Sequence, residues 1–99
     1  MLERQFQSKL IKELKDKFLG CIVLKNDASN TPQGFPDLTI LYNGKTAFLE
    51  CKKTEKEKKQ PNQQYYIDHL KEAGFYASFI YPENKEEIVC NDLERTFRS

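Results

Sequence analysis

Asn43-Gly44 stands between two β-prone runs, Asp37-Leu-Thr-Ile-Leu-Tyr42 and Lys45-Thr-Ala-Phe-Leu-Glu-Cys-Lys52. A two-residue type I′ turn needs positive φ at both central positions, and Asn-Gly supplies it at the least steric cost. The turn fixes the register of everything it joins. Tyr42 is expected to face Lys45, Ile40 to face Ala47, and Asp37 to face Glu50. Counted outward from the turn, Asp37 and Glu50 form a non-hydrogen-bonded pair, the close type with Cα atoms ~4.5 Å apart. Strand side chains alternate with period two, so Lys52 lies on the same face, and Cys51 points to the other as a core thiol. This placement holds provided no bulge shifts the ladder.

Two carboxylates set directly opposite each other repel, and sheets avoid that pairing unless something offsets it. A divalent cation would do so, and hard oxygen donors suit Mg²⁺ or Mn²⁺. Neutralisation by Lys52, or protonation of one acid, is the alternative. Two more polar side chains are aimed at the sheet. Glu3 shares the inward stripe of a first helix with Phe6 and Leu10, and Gln63 shares that of a second helix with Ile67 and Leu70. Burying such groups without partners is costly, so partners are expected.

The remaining elements follow from periodicity and punctuation. Leu2, Phe6, Leu10, Ile11, Leu14 and Phe18 recur at steps of three and four, which predicts an amphipathic helix over 2–18, stopped at Gly20. Residues 21–24 read as a short strand and 25–36 as a polar loop of the length that often carries function. Gln60-Pro61-Asn62 opens a helix that runs to Ala73 before Gly74. Phe75 to Tyr81 reads as a strand, and Asn84 with Glu87 resembles a capping box for a terminal helix carrying Ile88, Leu93 and Phe97. The order α-β-β-β-α-β-α predicts a mixed four-stranded sheet of the α/β (α+β mixed) class, flanked by helices, in one domain over 1–99.

Composition excludes several classes. With 99 residues, 38% of them apolar and 31% charged, the chain is one small globular domain. No apolar run approaches the ~20 residues of a membrane span, and no signal peptide opens the chain. Its three cysteines, Cys21, Cys51 and Cys90, form no metal-binding or disulfide pattern, which points to a reducing cytoplasm. The net charge of +1 hides an uneven distribution, with +3 over 52–59, +2 over the first 18 residues and −4 over 83–94. Such a lysine run is either a solvated surface or a phosphate-facing patch. Lys25, Lys53, Lys56, Lys58 and Lys59 are the candidates for contacting phosphate. Tyr65 and Tyr66 are candidates for base stacking, one of them better explained as core, and lone His69 carries no assignment.

Pro36-Asp37, then Glu50-Cys51-Lys52, resembles the PD-(D/E)XK nuclease signature. With Gly34-Phe-Pro-Asp37, Phe48-Leu-Glu-Cys-Lys52, Pro61-Asn-Gln63 and Leu70-Lys-Glu-Ala-Gly74, the chain is similar to the minimal, stand-alone VRR-NUC type found in phages and prophages, over roughly residues 3–82. The resemblance implies a restriction-endonuclease-like core and metal-dependent cleavage of branched DNA, four-way (Holliday) junctions above all, by a homodimer. It assigns Asp37 and Glu50 as metal ligands, with the Cys51 backbone carbonyl as a further one. Lys52 becomes the catalytic lysine, with Gln63 and Glu3 as additional catalytic residues. Other readings are a nuclease for flaps, single strands or duplex, and a non-catalytic DNA-binding phage module. The host cytoplasm is the expected location.

Overall fold

A computed structural model describes residues 2–99. Helix α1 (Glu3–Lys17) is followed by β1 (Ile22–Lys25), the hairpin β2 (Leu38–Tyr42) and β3 (Lys45–Cys51), α2 (Pro61–Glu72), β4 (Tyr76–Ile80) and a terminal helix. That last helix, α3, runs as Lys85–Glu87, widens into a π turn over Ile88–Asp92 and continues as Leu93–Arg98. The sheet order is β1-β2-β3-β4, antiparallel except for the β3–β4 pair, which is parallel. A parallel neighbour requires a crossover, and α2 provides it. The fold is therefore the mixed, four-stranded, helix-flanked sheet that the element order predicts.

The hairpin forms as the Asn-Gly turn requires. Asn43 and Gly44 have φ of 53° and 76°, and the ladder pairs Tyr42 with Lys45, Ile40 with Ala47 and Leu38 with Leu49. Alternation then divides the side chains. Leu38, Ile40, Ala47, Leu49 and Cys51 bury against Phe6, Leu10, Leu14 and Phe18 of α1 and Ile88, Val89, Leu93 and Phe97 of α3. On the other side a smaller cluster of Phe48, Ala77 and Phe79 meets Ile67 of α2, with Phe35 meeting both Phe48 and Tyr66 edge-to-face at its rim. Cys51 is fully buried, as expected of a core thiol.

Several sequence expectations are corrected. Leu2 is not on the apolar stripe; it is the exposed residue before the first turn of α1. β1 starts at Ile22 rather than Cys21, because the turn after α1 extends through Gly20 and ties the Cys21 amide to the Phe18 carbonyl. Asn84 does not cap the terminal helix. Its side chain turns back, accepting from the Tyr81 amide at 2.8 Å and donating to the Phe79 carbonyl at 3.2 Å, so it fastens the β4–α3 corner. The π turn also has a local reason. Ile88 and Leu93 are five apart, one more than an α-helix keeps on a single face, and the wider turn absorbs the extra residue. Among the described residues no helix is long and apolar enough to cross a membrane.

Candidate active site

All the polar groups singled out from the hairpin lie at one end of the sheet, where β1 and β3 finish and β2 begins. Here the ladder departs from the simple register. Its last pair is Leu38–Leu49, and Asp37 stands just outside it. The Asp37 carbonyl turns to β1 and accepts from the Asn26 amide at 2.8 Å, while its carboxylate Oδ2 accepts from the Cys51 amide at 2.8 Å. The Asp37 side chain thus replaces a rung of the sheet, and its orientation is fixed by β3 itself. The Lys52 amide bonds in the opposite direction, to the Ile80 carbonyl at 2.9 Å. Successive residues of a strand point their backbone groups to alternate sides, so the Cys51 carbonyl faces the Asp37 side, like its amide.

Glu50 and Lys52 are the only charged side chains buried among the described residues, at 5% and 3% exposure. A buried ion without partners would be prohibitively costly. Lys52 Nζ meets that requirement with three acceptors: Gln63 Oε1 at 2.6 Å, the Lys58 carbonyl at 3.1 Å and Glu57 Oε2 at 3.6 Å. Gln63 sits in the first turn of α2. Its Oε1 also accepts from the Gln60 amide at 3.0 Å, half of a capping box, and its Nε2 donates to Glu50 Oε2 at 3.2 Å. One amide side chain therefore couples the buried lysine to the buried glutamate and is itself oriented by the helix start.

The acids pay for this placement in ionisation. Burial, then the adjacent Asp37 charge, raises the Glu50 carboxyl to about 8. Asp37 is raised too, by burial, against the lowering effect of the Cys51 amide and Lys52. The like-charge conflict expected from the hairpin thus favours a proton on the pair. Glu3, half-buried at the start of α1, feels the same field: burial raises its carboxyl, followed by the charges of Glu57 and Asp37.

Asp37, Glu50 and Gln63 open onto a cleft of about 210 Å³, roofed by the loop between β1 and β2 through Asn26, Thr31 and Gly34. That loop is held down at Gly34, where φ is +91° and a Cβ would overlap Asn62 of α2, its backbone carbon only 2.8 Å away. Asn26 braces the other end, donating from Nδ2 to the Pro36 carbonyl and to Thr39 Oγ1, both at 2.9 Å.

The donor chemistry fits a hard dication. Two carboxylates share a site where burial and mutual repulsion disfavour their charge, and they front an open cleft. No group of three or more His, Cys, Asp or Glu side chains converges among the described residues. Two carboxylates, with water and substrate phosphate filling the other positions, is the usual way Mg²⁺ is bound.

The candidate DNA contacts are more scattered. Lys53, Lys56, Lys58 and Lys59 are exposed on the loop after β3, with Lys59 Nζ 5.2 Å from the centre of the Phe79 ring. Lys25, also exposed, ends β1 across from Leu38. Tyr66 packs on Phe35, whereas Tyr65 is 57% exposed and stacks on His69. Sequence reasoning missed Glu57. Counted only as a charge within the lysine run, it folds back so that Oε1 accepts from the Lys53 amide at 2.6 Å while Oε2 reaches Lys52. An acid placed five residues after a buried lysine was the available signal.

No protein-family model matches the chain, and no curated protein matches it by sequence. Solved structures do. One, described as "VRR_NUC domain", is 26% identical with a TM-score of 0.66, the match covering 85% of this chain and 94% of that one. Another, described as "VRR_NUC domain protein", is 17% identical with a TM-score of 0.74, covering 97% of this chain and 90% of that one. The sheet order and the Asp37–Glu50–Lys52 cluster agree with these neighbours, which support a place for the chain in the VRR-NUC family.

Proposed function

We propose that this protein is a nuclease, and more specifically a divalent-metal-dependent, structure-selective DNA endonuclease acting at four-way junctions as a homodimer. The observation that carries the reading is half-buried Asp37 beside buried Glu50, with Gln63 joining Glu50 to the buried Lys52 and an open cleft in front of Asp37, Glu50 and Gln63. A fold with no use for that cluster would gain stability by replacing it with apolar side chains. The family's name supports phosphodiester hydrolysis.

In this reading Asp37 and Glu50, with the Cys51 carbonyl beside them, hold Mg²⁺ or Mn²⁺. The ion, when bound, supplies Lewis-acid polarisation of a phosphoryl oxygen and a more acidic water. Asp37 is aimed by the Cys51 amide, so its carboxylate needs little reorganisation. Lys52, held by Gln63, places a positive charge against the five-coordinate phosphorus as negative charge grows on its oxygens. A water oxygen bonds to phosphorus, the bond from phosphorus to the 3′ oxygen breaks, and that oxygen leaves as a hydroxyl after taking up a proton. The products carry a 5′-phosphate and a 3′-hydroxyl. Glu3, in the same field, would help hold a second ion or orient a water. The exposed lysines 53, 56, 58 and 59 follow directly on the catalytic strand and meet the backbone on either side of the cut.

The test is cleavage of a labelled four-way junction, a flap, a single strand and a duplex, with and without Mg²⁺, by the parent and by Asp37→Ala. Metal-dependent cutting that Asp37→Ala lacks, with the junction preferred and paired nicks from a dimer, is the expected result. Equal cutting by both proteins, or none by the parent with any divalent metal, rejects it. Binding that ignores chelator, without cutting, would favour a non-catalytic module.

A further inference from the structure

We infer that the groove between the first turns of α1 and the end of β1 is a second contact for a nucleic-acid backbone, separate from the lysine loop. The inference deepens the nuclease reading and rests on it. The groove, about 480 Å³, is lined by Arg4, Gln5, Gln7, Ser8, Lys9 and Lys25 and contains no acid. Arg4, Lys9 and Lys25 are all exposed, and none of the three side chains makes an ion pair among the described residues. Of the other cations, Lys12, Lys17, Lys52, Lys85, Arg95 and Arg98 each pair with a carboxylate, while Lys15, Lys45, Lys71 and the loop lysines 53, 56, 58 and 59 are, like these three, in no ion pair among the described residues. Three uncompensated cations interleaved with amide and hydroxyl groups suit phosphate oxygens, which take charge and hydrogen bonds together.

Its position gives the groove its meaning. Glu3, one residue before Arg4, lies within the electrostatic reach of Asp37 and Lys52. Lys25 pairs across the ladder with Leu38, next to Asp37, and shares the α1 side of the sheet with it. The lysine loop leaves the same end of the sheet after β3, on the α2 side. The carboxylates therefore stand between two cationic surfaces, one on each side of the sheet end. A strand whose scissile phosphate sits at Asp37 and Glu50 runs off one way over Lys53–Lys59 and the other way into this groove. Arg4 and Lys9 are separated by about 7.5 Å along the helix axis, at 1.5 Å per residue, the axial length of about two nucleotide steps.

The experiment measures binding of a fluorescent duplex and a four-way junction by anisotropy, in Ca²⁺, across a series of salt concentrations. Compared are the parent, the triple variant Arg4→Gln/Lys9→Gln/Lys25→Gln, and a control of equal charge loss, Lys12→Gln/Lys15→Gln/Lys71→Gln. Each phosphate contact contributes about 0.9 to the slope of log K against log salt, so the groove variant should lose roughly 2–3 from that slope. Its Kd should rise roughly 10- to 100-fold at 0.1 M salt, and the control's by less than about threefold. Lys9→Gln alone should lose a slope of about 0.9, which keeps the test informative if the triple variant folds poorly. Equal weakening in the control, or an unchanged slope in the groove variant, overturns the inference. A parent that binds no DNA at all brings down the nuclease reading as well. A parent that binds and cuts, beside a groove variant that binds just as well, rejects the groove alone.

Discussion

The α1 side of the sheet buries Leu38, Ile40, Ala47, Leu49 and Cys51 under two helices without one buried charge, whereas the α2 side buries only Phe48, Ala77, Phe79 and Ile67 and makes room for Glu50 and Lys52. The two sets come from the same strands, one residue apart. Alternation lets β3 place Leu49 in the core and Glu50 in the site without any change of backbone. One face holds the fold together, and the other gives up packing for chemistry. Neighbouring residues on β3 should therefore fail in opposite ways.

The largest effect tests that division. Leu49→Ala removes a fully buried side chain and should cost about 3 kcal/mol of stability, read by thermal or urea unfolding. Its cutting rate per folded molecule should stay close to the parent's. Glu50→Gln keeps the shape and removes the charge. Its melting temperature should stay level or rise at pH 8, while junction cleavage falls by at least ~10²–10³-fold. If Leu49→Ala loses turnover per folded molecule as deeply as Glu50→Gln, the two faces are not separable.

Next comes the pH response, which distinguishes the faces because the buried carboxyl lies on only one of them. The Glu50 carboxyl is raised to about 8 in the folded protein, against 4.5 in the unfolded chain. The unfolded state releases its proton first, so this group's stabilisation is complete below pH 4.5 and is lost as pH rises through about 8. Asp37, also raised, adds in the same direction. Melting temperature should decline across that window in the parent and decline less in Glu50→Gln. A dication competes with the proton, so Mg²⁺ should raise the melting temperature more at pH 8 than at pH 6. At 100 times its Kd the ion adds about 2.7 kcal/mol. A metal-induced rise of equal size in Glu50→Gln would place the ion elsewhere.

The same contrast explains how much the chain discloses before folding. The hairpin, its register from Tyr42–Lys45 to Leu38–Leu49 and the shared face of Glu50 and Lys52 are local consequences of Asn43-Gly44 and of period-two alternation, whereas the Asp37–Glu50 rung expected next is absent from the ladder. Gln63 was legible as a polar residue on an inward helical stripe. The bond from the Cys51 amide to Asp37 was not, because it depends on the ladder stopping at Leu38 and Leu49. Nor was Glu57, whose contact with Lys52 needs the path of an irregular loop. The corner bonds of Asn84 were hidden for a similar reason: a capping signal records what a side chain can accept, not which backbone group arrives first.

Gly34→Ala probes the join between the faces, where the cleft roof meets α2. A side chain there faces both a φ of +91° and the Asn62 backbone. The left-handed conformation alone costs about 1–2 kcal/mol. Much of this should be spent on lifting the loop rather than on global unfolding, so amide exchange should accelerate in residues 26–36 while β3 stays protected. Uniform acceleration throughout the protein would mean that the loop is part of the core.

Glu57→Gln should have the smallest effect and the opposite sign. The amide keeps an oxygen for the Lys53 amide and loses the charge that lies 3.6 Å from Lys52 Nζ. Glu57 is partly exposed, and Lys52 retains Gln63 and the Lys58 carbonyl, so stability should change by less than about 1 kcal/mol. A carboxylate at this point repels a phosphate approaching Lys52, so its removal should tighten DNA binding a few-fold at low salt. The gain should fade above roughly 0.5 M salt, where charges a few ångströms beyond contact are screened. Every other site substitution weakens the proposed function, and this one should strengthen binding. Should Glu57→Gln bind DNA more weakly at low salt, the carboxylate serves to hold Lys52 in place for the substrate and does not compete with it.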